Sequence, residues 1–539
     1  MYYELDGDRN RGFAYERAAK TVEAANGLHR LIDEGRLEEL PGIGPSIALA
    51  VAELARRGTV AVLERLRGKW PPVVIELAQL PKVGVQKARA IYLAFTPTDL
   101  DSVAELCRAN AIRELPGFGK VSEQKIAEAI EERRLRGMRV ILLDAEPQAL
   151  SLAAHLQTDP AVVRVEVAGP VRRWCEVIDH LAYAIATDDP EAVLEHLAGH
   201  GLVASLERGT SVATARLAGG LRAEVHLATP ARFGWALVVA TGSPEHVALL
   251  ERRALERGVD LATLDARDET ALYAALGLPW LPPEVRDGTD ELSGDDFTDL
   301  ITLADITTAC HCHTTYSDGK NSIAEMAAAA AELGLQAITI TDHSAAASYA
   351  SGLDLAQLQQ QAAEIAGLSP PIRILRGTEA DILVDGAIDV PPSMIGELDL
   401  VIASVHQRFS LDEDAMTQRL VTAMRQPFFK IWGHALGRLV MRREPIKVRI
   451  DEILDAVAES RAAIEINGDP YRLDLDPINA RKAVARGIPF VLSSDAHSVR
   501  GLRATRFAVG MARRARIRKR HVLNALPPDE LAAAIRPEM

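Results

Sequence analysis

Cysteine is nearly absent from this 539-residue chain: Cys107, Cys175, Cys310 and Cys312 are all it has. No C-x-x-C pair and no regular spacing link them, which excludes a disulfide framework and suits a reducing compartment. Long apolar runs are missing too. None approaches the ~20 residues that a membrane span requires, and the opening MYYELDGDRN lacks a basic-then-apolar signal pattern. The expectation is a cytoplasmic, nucleoid-associated protein with no membrane partner. Positive charge is also in short supply. A net charge of −14 excludes a nonspecific polycation, yet backbone amides and local arginines can still grip phosphate inside an acidic protein. With 48% hydrophobic residues, there is ample material for folded cores, and the length calls for three or four domains.

What the chain does have is concentrated toward its end. Cys310–Gly319 reads CHCHTTYSDG, placing His311 and His313 two apart at the end of an apolar run, with Asp318 in the turn beyond. In a strand, residues two apart face one side, so both imidazoles address one point while Cys310 and Cys312 turn to the other face and pack. The same arrangement recurs. ITITDH ends on His343, RILRGTEAD carries Glu379, LVIASVH ends on His406, FFKIWGH on His434, and PFVLSSDAH on Asp495 and His497. Helically spaced segments such as Ser322–Leu333 and Ile450–Ser460 lie between them. Strand, ligand, helix, repeated, predicts a (β/α) barrel whose active face collects side chains from the strands' C-terminal ends. One such histidine alone is best explained as core. Six histidines and three carboxylates, all at strand ends, point instead to a metal site.

The N-terminal third is built differently. Leu-Pro-x-x-Gly recurs at Leu40–Gly44, Leu80–Gly84 and Leu115–Gly119, each time before an amphipathic helix. Glycine at such turns permits positive φ and close approach of another backbone, while the next helix's free amides point outward. This phosphate-binding device resembles the helix-hairpin-helix element of DNA-repair proteins, and makes Gly42, Gly44, Gly84, Gly117, Gly119 and Lys120 candidate DNA contacts. The middle copy carries Lys82 where the others have Gly42 and Gly117. Residues 138–229 alternate like strands around a helix at Pro147–Leu156, residues 230–285 look helical, and 286–299 reads as an acidic linker that leaves the domains mobile. The basic run Arg513–Arg520 reads as a solvated helix face.

Taken in order, these parts resemble bacterial family X DNA polymerases with a C-terminal polymerase-and-histidinol-phosphatase (PHP) domain. The resemblance implies a multidomain architecture: an all-α hairpin domain (1–95), a fingers-like helical region with the third hairpin (96–137), and an α+β palm-like nucleotidyltransferase domain (138–229). A small, mainly helical thumb (230–285), the linker (286–299) and a distorted (β/α) PHP barrel (300–539) follow. It further implies that His311, His313, Asp318, His343, Glu379, His406, His434, Asp495 and His497 hold two or three divalent metals, with manganese or zinc suited to the mixed imidazole and carboxylate donors. Glu379 would bridge two of them, and Arg438 is a candidate for steadying a phosphate oxygen.

The palm departs from the family's pattern. Gly169–Arg173 keeps Arg172 and Arg173 but has Pro170 for serine, and His180 and Ala182 stand at the aspartate positions. Glu224 remains as the third carboxylate, with Glu176 and Asp179 nearby, and Val239 begins the element that normally embraces the nucleotide sugar. Magnesium or manganese would be needed there only if polymerisation survives. The lyase lysine has no counterpart at Gly58-Thr59-Val60. The expectation is therefore a monomeric DNA-repair enzyme acting on gapped, 3′-tailed or single-stranded DNA. It would be a metal-dependent 3′→5′ exonuclease, with abasic-site endonuclease activity as in some relatives, and with weak or absent polymerase activity. The alternatives are an active gap-filling polymerase, or a DNA-binding scaffold whose barrel acts on a small phosphate monoester.

Overall fold

The computed structural model describes residues 2–24, 28–57, 60–80, 83–136, 138–209 and 211–537; Gly58, Thr59 and Lys82 lie outside them. Helices fill the N-terminal region around two small cores, one of Ala18, Ile32, Leu37, Ile43 and Ile47, the other centred on Trp70, Val74, Leu77, Ile91, Ile112 and Ile130. Gly42 and Gly117 adopt φ of 78° and 82° ahead of the helices Pro45–Arg57 and Lys120–Arg136. A β-carbon at either glycine would meet nothing, so the left-handed turn itself, not crowding, is what glycine supplies there.

A five-stranded sheet follows, built from β1 (Arg164–Ala168), β2 (His180–Ala186), β3 (Val203–Glu207), β4 (Val212–Leu217) and β5 (Arg222–Ala228). Its spatial order is β1-β2-β5-β4-β3, with β2 and β5 parallel and the other pairs antiparallel. Alternation explains its two faces. Leu181, Tyr183 and Ile185 of β2 pack under the helices Leu142–Leu156 and Pro190–Ala198, whereas Ala182, Ala184 and Ala186 meet Phe233, Leu237 and Ala240 of the helix Phe233–Thr241. Residues 138–146 differ from the strand expected of them. Only Val140–Ile141 is extended, and the helix begins at Leu142, since Ala, Glu and Leu favour the helical state once one face is buried.

The C-terminal half closes into a barrel of seven parallel strands: β6 (Thr308–Cys312), β7 (Ala337–Ile340), β8 (Arg373–Asp381), β9 (Leu400–Ser404), β10 (Lys430–Trp432), β11 (Ala462–Asn467) and β12 (Phe490–Ala496), with β12 returning to β6. Leu531 and Ile535 of the last helix plug the strands' N-terminal end against Leu375, Leu400, Ile431 and Val491.

Barrel and palm share one core, contrary to the expectation of mobile domains. Trp174 stands edge-on to Phe507, ring centroids 5.7 Å apart, and lies so close to Gly510 that any β-carbon there would come within 2.4 Å of the ring. Glu146 is paired with Arg506. The acidic stretch and the basic run also find each other: Arg516 reaches Asp290, Arg518 reaches Asp295, Arg520 reaches Asp299, and Arg513 reaches Glu284. The stretch 286–299 therefore packs instead of spanning, with Arg286 and Glu291 fully buried, and Arg513–Arg520 is largely spent on ion pairs. Opposite charge blocks 221 to 229 residues apart leave no local sign of their pairing.

Candidate metal centre

All nine candidate ligands converge at the C-terminal mouth of the barrel. Glu379 occupies the middle: its Oε2 lies 3.1 Å from His343 Nδ1, 3.3 Å from His311 Nε2 and 3.6 Å from His313 Nε2. Its Oε1 lies 2.8 Å from His434 Nε2 and 3.2 Å from His406 Nε2. Asp495 Oδ1 stands 3.3 Å from His313 Nε2 and 3.6 Å from His311 Nε2. At the outer rim, Asp318 Oδ1 is 3.3 Å from His497 Nε2, and Oδ2 is 3.7 Å from His343 Nε2. Four overlapping groups have their donor atoms mutually within 4.8 Å: His313–Asp318–His343–His497, His311–His313–Asp495, His311–Glu379–His434 and His343–Glu379–His406. Among the described residues, no such group lies outside the barrel.

Local backbone conformation aims these side chains. His311, His434 and Asp495 take φ of 60°, 24° and 51°, a region that costs a non-glycine residue of order 1–3 kcal/mol. At His311 the turn breaks strand alternation. Cys310 joins the plug end of the barrel and Cys312 packs beneath the helix Ile323–Glu332, so the two cysteines part company instead of sharing a face, and His311 and His313 still converge.

The donors fit metal. His311 Nε2, both ring nitrogens of His313, His343 Nδ1 and His434 Nδ1 are buried without a hydrogen-bond partner, a costly state for a polar atom unless a cation takes its lone pair. A second layer, which the sequence does not advertise, orients the rings. Glu465 Oε1 receives His311 Nδ1 at 2.5 Å, and its Oε2 accepts from the His434 amide and Asn467. Asp381 holds His406 Nδ1 at 2.7 Å, leaving each outer nitrogen facing the cluster. Asp342 ties Thr314, Ser317 and Gln361 together beneath the Asp318 turn.

Charge is finely divided here. Burial favours a neutral ring and wins at His343, which falls to about 4. Burial is outweighed at His406 by Glu379 and Asp381, and at His497 by Asp318 and Asp495, raising each to about 9. Burial opposes ionisation of Asp318, but His497 and its neighbours bring it down to about 2. Arg438 does not point into this cluster. Its Nε donates to Arg472 O at 3.1 Å, and its Nη2 reaches Leu473 O and, at 3.0 Å, Glu176. Arg472, not Arg438, borders the cluster, its Nε lying 3.3 Å from Asp495.

In the palm, the residues expected around magnesium do not gather. Glu176 is held by Arg438 and Arg514, and Asp179 by His180 at 2.7 Å. Ala182 sits in register with Glu224 and beneath Gly169, with the helix Phe233–Thr241 across that face. Arg172 is spent on Glu269 and Thr241, while Arg173 keeps one guanidinium nitrogen buried and unpartnered. Around the third hairpin, Gly119 and Lys120 open onto a shallow concavity with Lys87 and Lys125.

A hairpin-bearing protein with a metal-ligating barrel is thus the class that fold and site define, and comparison with known families agrees. The PHP domain matches residues 309–469, and a SAM-like helix-hairpin-helix tandem matches residues 74–132. The DNA polymerase/3′-5′ exonuclease PolX of Bacillus subtilis is 32% identical across 99% of this chain and 97% of its own. The chain belongs to that family, the bacterial family X DNA polymerases with a C-terminal PHP domain. Relatives similar over part of the chain include probable phosphatases of Caldanaerobacter subterraneus, 32% identical over 35% of this chain and 74% of that one, and of Aliivibrio fischeri, 33% identical over 29% and 61%.

Proposed function

We propose that the barrel is a metal-dependent DNA phosphodiesterase working from 3′ ends, that residues 1–137 hold the DNA, and that polymerase activity is weak or absent. The observation that carries this is the contrast between the two ends of the molecule: nine candidate ligands converge in the barrel, while Glu176 and Asp179 of the palm are tied to Arg438, Arg514 and His180. Two or three divalent ions, manganese or zinc, would be held by His311, His313, Asp318, His343, Glu379, His406, His434, Asp495 and His497. Such ions supply an activated water at neutral pH and clamp the attacking and leaving oxygens of a phosphodiester. The chain's own part is positional. Glu465 and Asp381 fix the imidazole tautomers, and Arg472 adds a fixed positive charge beside Asp495 that favours a phosphate oxygen at the mouth.

The test is a His343→Ala, Glu379→Ala double variant. Nuclease activity on a 3′-tailed duplex with manganese should fall at least 100-fold, while gel-shift affinity for the same DNA stays within a factor of two. Primer extension by the wild type that disappears in Glu224→Ala would overturn the palm half of the reading. The probable phosphatases among the relatives favour a second reading, a barrel acting on small monoesters. Faster turnover of histidinol phosphate than of single-stranded DNA would establish it.

A further inference from the structure

Tyr349 is an oddity of the barrel mouth. It is 60% exposed, although leaving an aromatic ring in water forfeits burial worth roughly 25 cal/mol per Å². Its ring lies 6.1 Å from that of His343 and 5.9 Å from that of His406, crossing both at about 60°, so it stands on two of the candidate metal ligands. No hydrogen bond is formed by its hydroxyl among the described contacts, and burial with the nearby carboxylates of Asp381, Glu379 and Asp318 pushes the phenol above its ordinary range.

The turn that presents Tyr349 is tightly built. Ser348–Ala350 forms one 3₁₀ turn, closed by Ser351 at φ 58°. The loop is stitched shut at its base by Leu353 N–H to His343 O at 2.7 Å. Gly352 packs on Ser344 O so closely that a β-carbon would come within 1.9 Å. Ala346 is gripped from two sides, its amide donating to Asp389 and its carbonyl accepting from Gln407. A strained, braced turn that holds an aromatic ring into solvent, above a catalytic cluster, has the features of a ligand contact.

We infer that Tyr349 is a specificity-determining residue on which the 3′-terminal nucleobase of the DNA stacks, placing the last phosphodiester over the metal cluster. The inference rests on the proposed DNA phosphodiesterase reading. Base–aromatic stacking contributes about 1–3 kcal/mol per base and tolerates any sequence, which suits an exonuclease that must accept every terminal nucleotide. A ring only at the mouth would also separate DNA from small, non-aromatic phosphate monoesters, which have nothing to place on it.

The experiment uses the full-length protein in EDTA and a 3′-tailed duplex with 2-aminopurine as its last base. Binding to wild type should quench the 2-aminopurine fluorescence several-fold. Tyr349→Phe should retain the quench, and Tyr349→Ala should lose it while anisotropy shows the duplex still bound. With manganese, Tyr349→Ala should raise KM for the tailed strand about 10-fold and change kcat much less. Unaltered quenching and KM in Tyr349→Ala, with the wild type degrading the strand, would overturn this inference alone. A wild type that leaves the strand intact would overturn the underlying reading instead.

Discussion

Glu465 shows how a single side chain organises the mouth of the barrel. It is fully buried and spends both oxygens on His311, His434, Asn467 and Ser493. Glu465→Gln keeps the shape but sets an amide against a ring nitrogen that needs an acceptor. Outer partners of this kind usually contribute 10–100-fold in metal affinity, so manganese binding followed by electron paramagnetic resonance should weaken by about that factor, with little change in thermal stability. His311, His343, His406, His434 and His497 were legible in the sequence because each interrupts or ends an apolar run. Glu465 and Asp381 were not, because an acidic residue within EIN or ADI looks like any solvated strand position. Only the fold turns them inward. The same limit applied to Arg438, whose place four residues after His434 suggested catalysis, whereas its donors go to backbone carbonyls and to Glu176.

Among the structural elements, the hairpins were readable because they are local: the turn, its glycine and the following helix lie within a dozen residues. Gly117→Ala should cost about 1–2 kcal/mol through the left-handed turn. On the proposed reading that this turn contacts a DNA phosphate, affinity for a gapped duplex should fall roughly tenfold, measured by anisotropy of a labelled strand. An Ala substitution at the neighbouring exposed Val121 should leave that affinity unchanged. Barrel strands were equally readable from their short β-branched runs. The opening of the helix Leu142–Leu156, ahead of Pro147, and strand β3 were not. The first opens with an apolar run that suits either state, and the second, VASLE, has only a partly buried, mixed pattern that gains its identity from pairing with β4.

The seam between palm and barrel governs the molecule as a whole, and nothing in the sequence reveals it, since Glu176 lies 262 residues from Arg438 and 338 from Arg514. Burial opposes the charge on Glu176, but the two guanidinium groups hold its carboxyl at about 2. A carboxylate whose folded pKa is depressed contributes stability above its unfolded value and loses it as pH falls through the folded one. Between about pH 4.5 and 2, therefore, the seam weakens. Thermal unfolding of the wild type should drop more steeply between pH 5 and 3 than that of Glu176→Gln. At pH 7 the variant should be roughly 3 kcal/mol less stable, because it leaves buried arginine charge unpaired. Trp174, pressed onto Gly510 and crossed by Phe507 and Arg506, gives this joint an optical signature of its own. With only five tryptophans in the chain, separation of the two halves would expose its indole to water and shift its emission to the red.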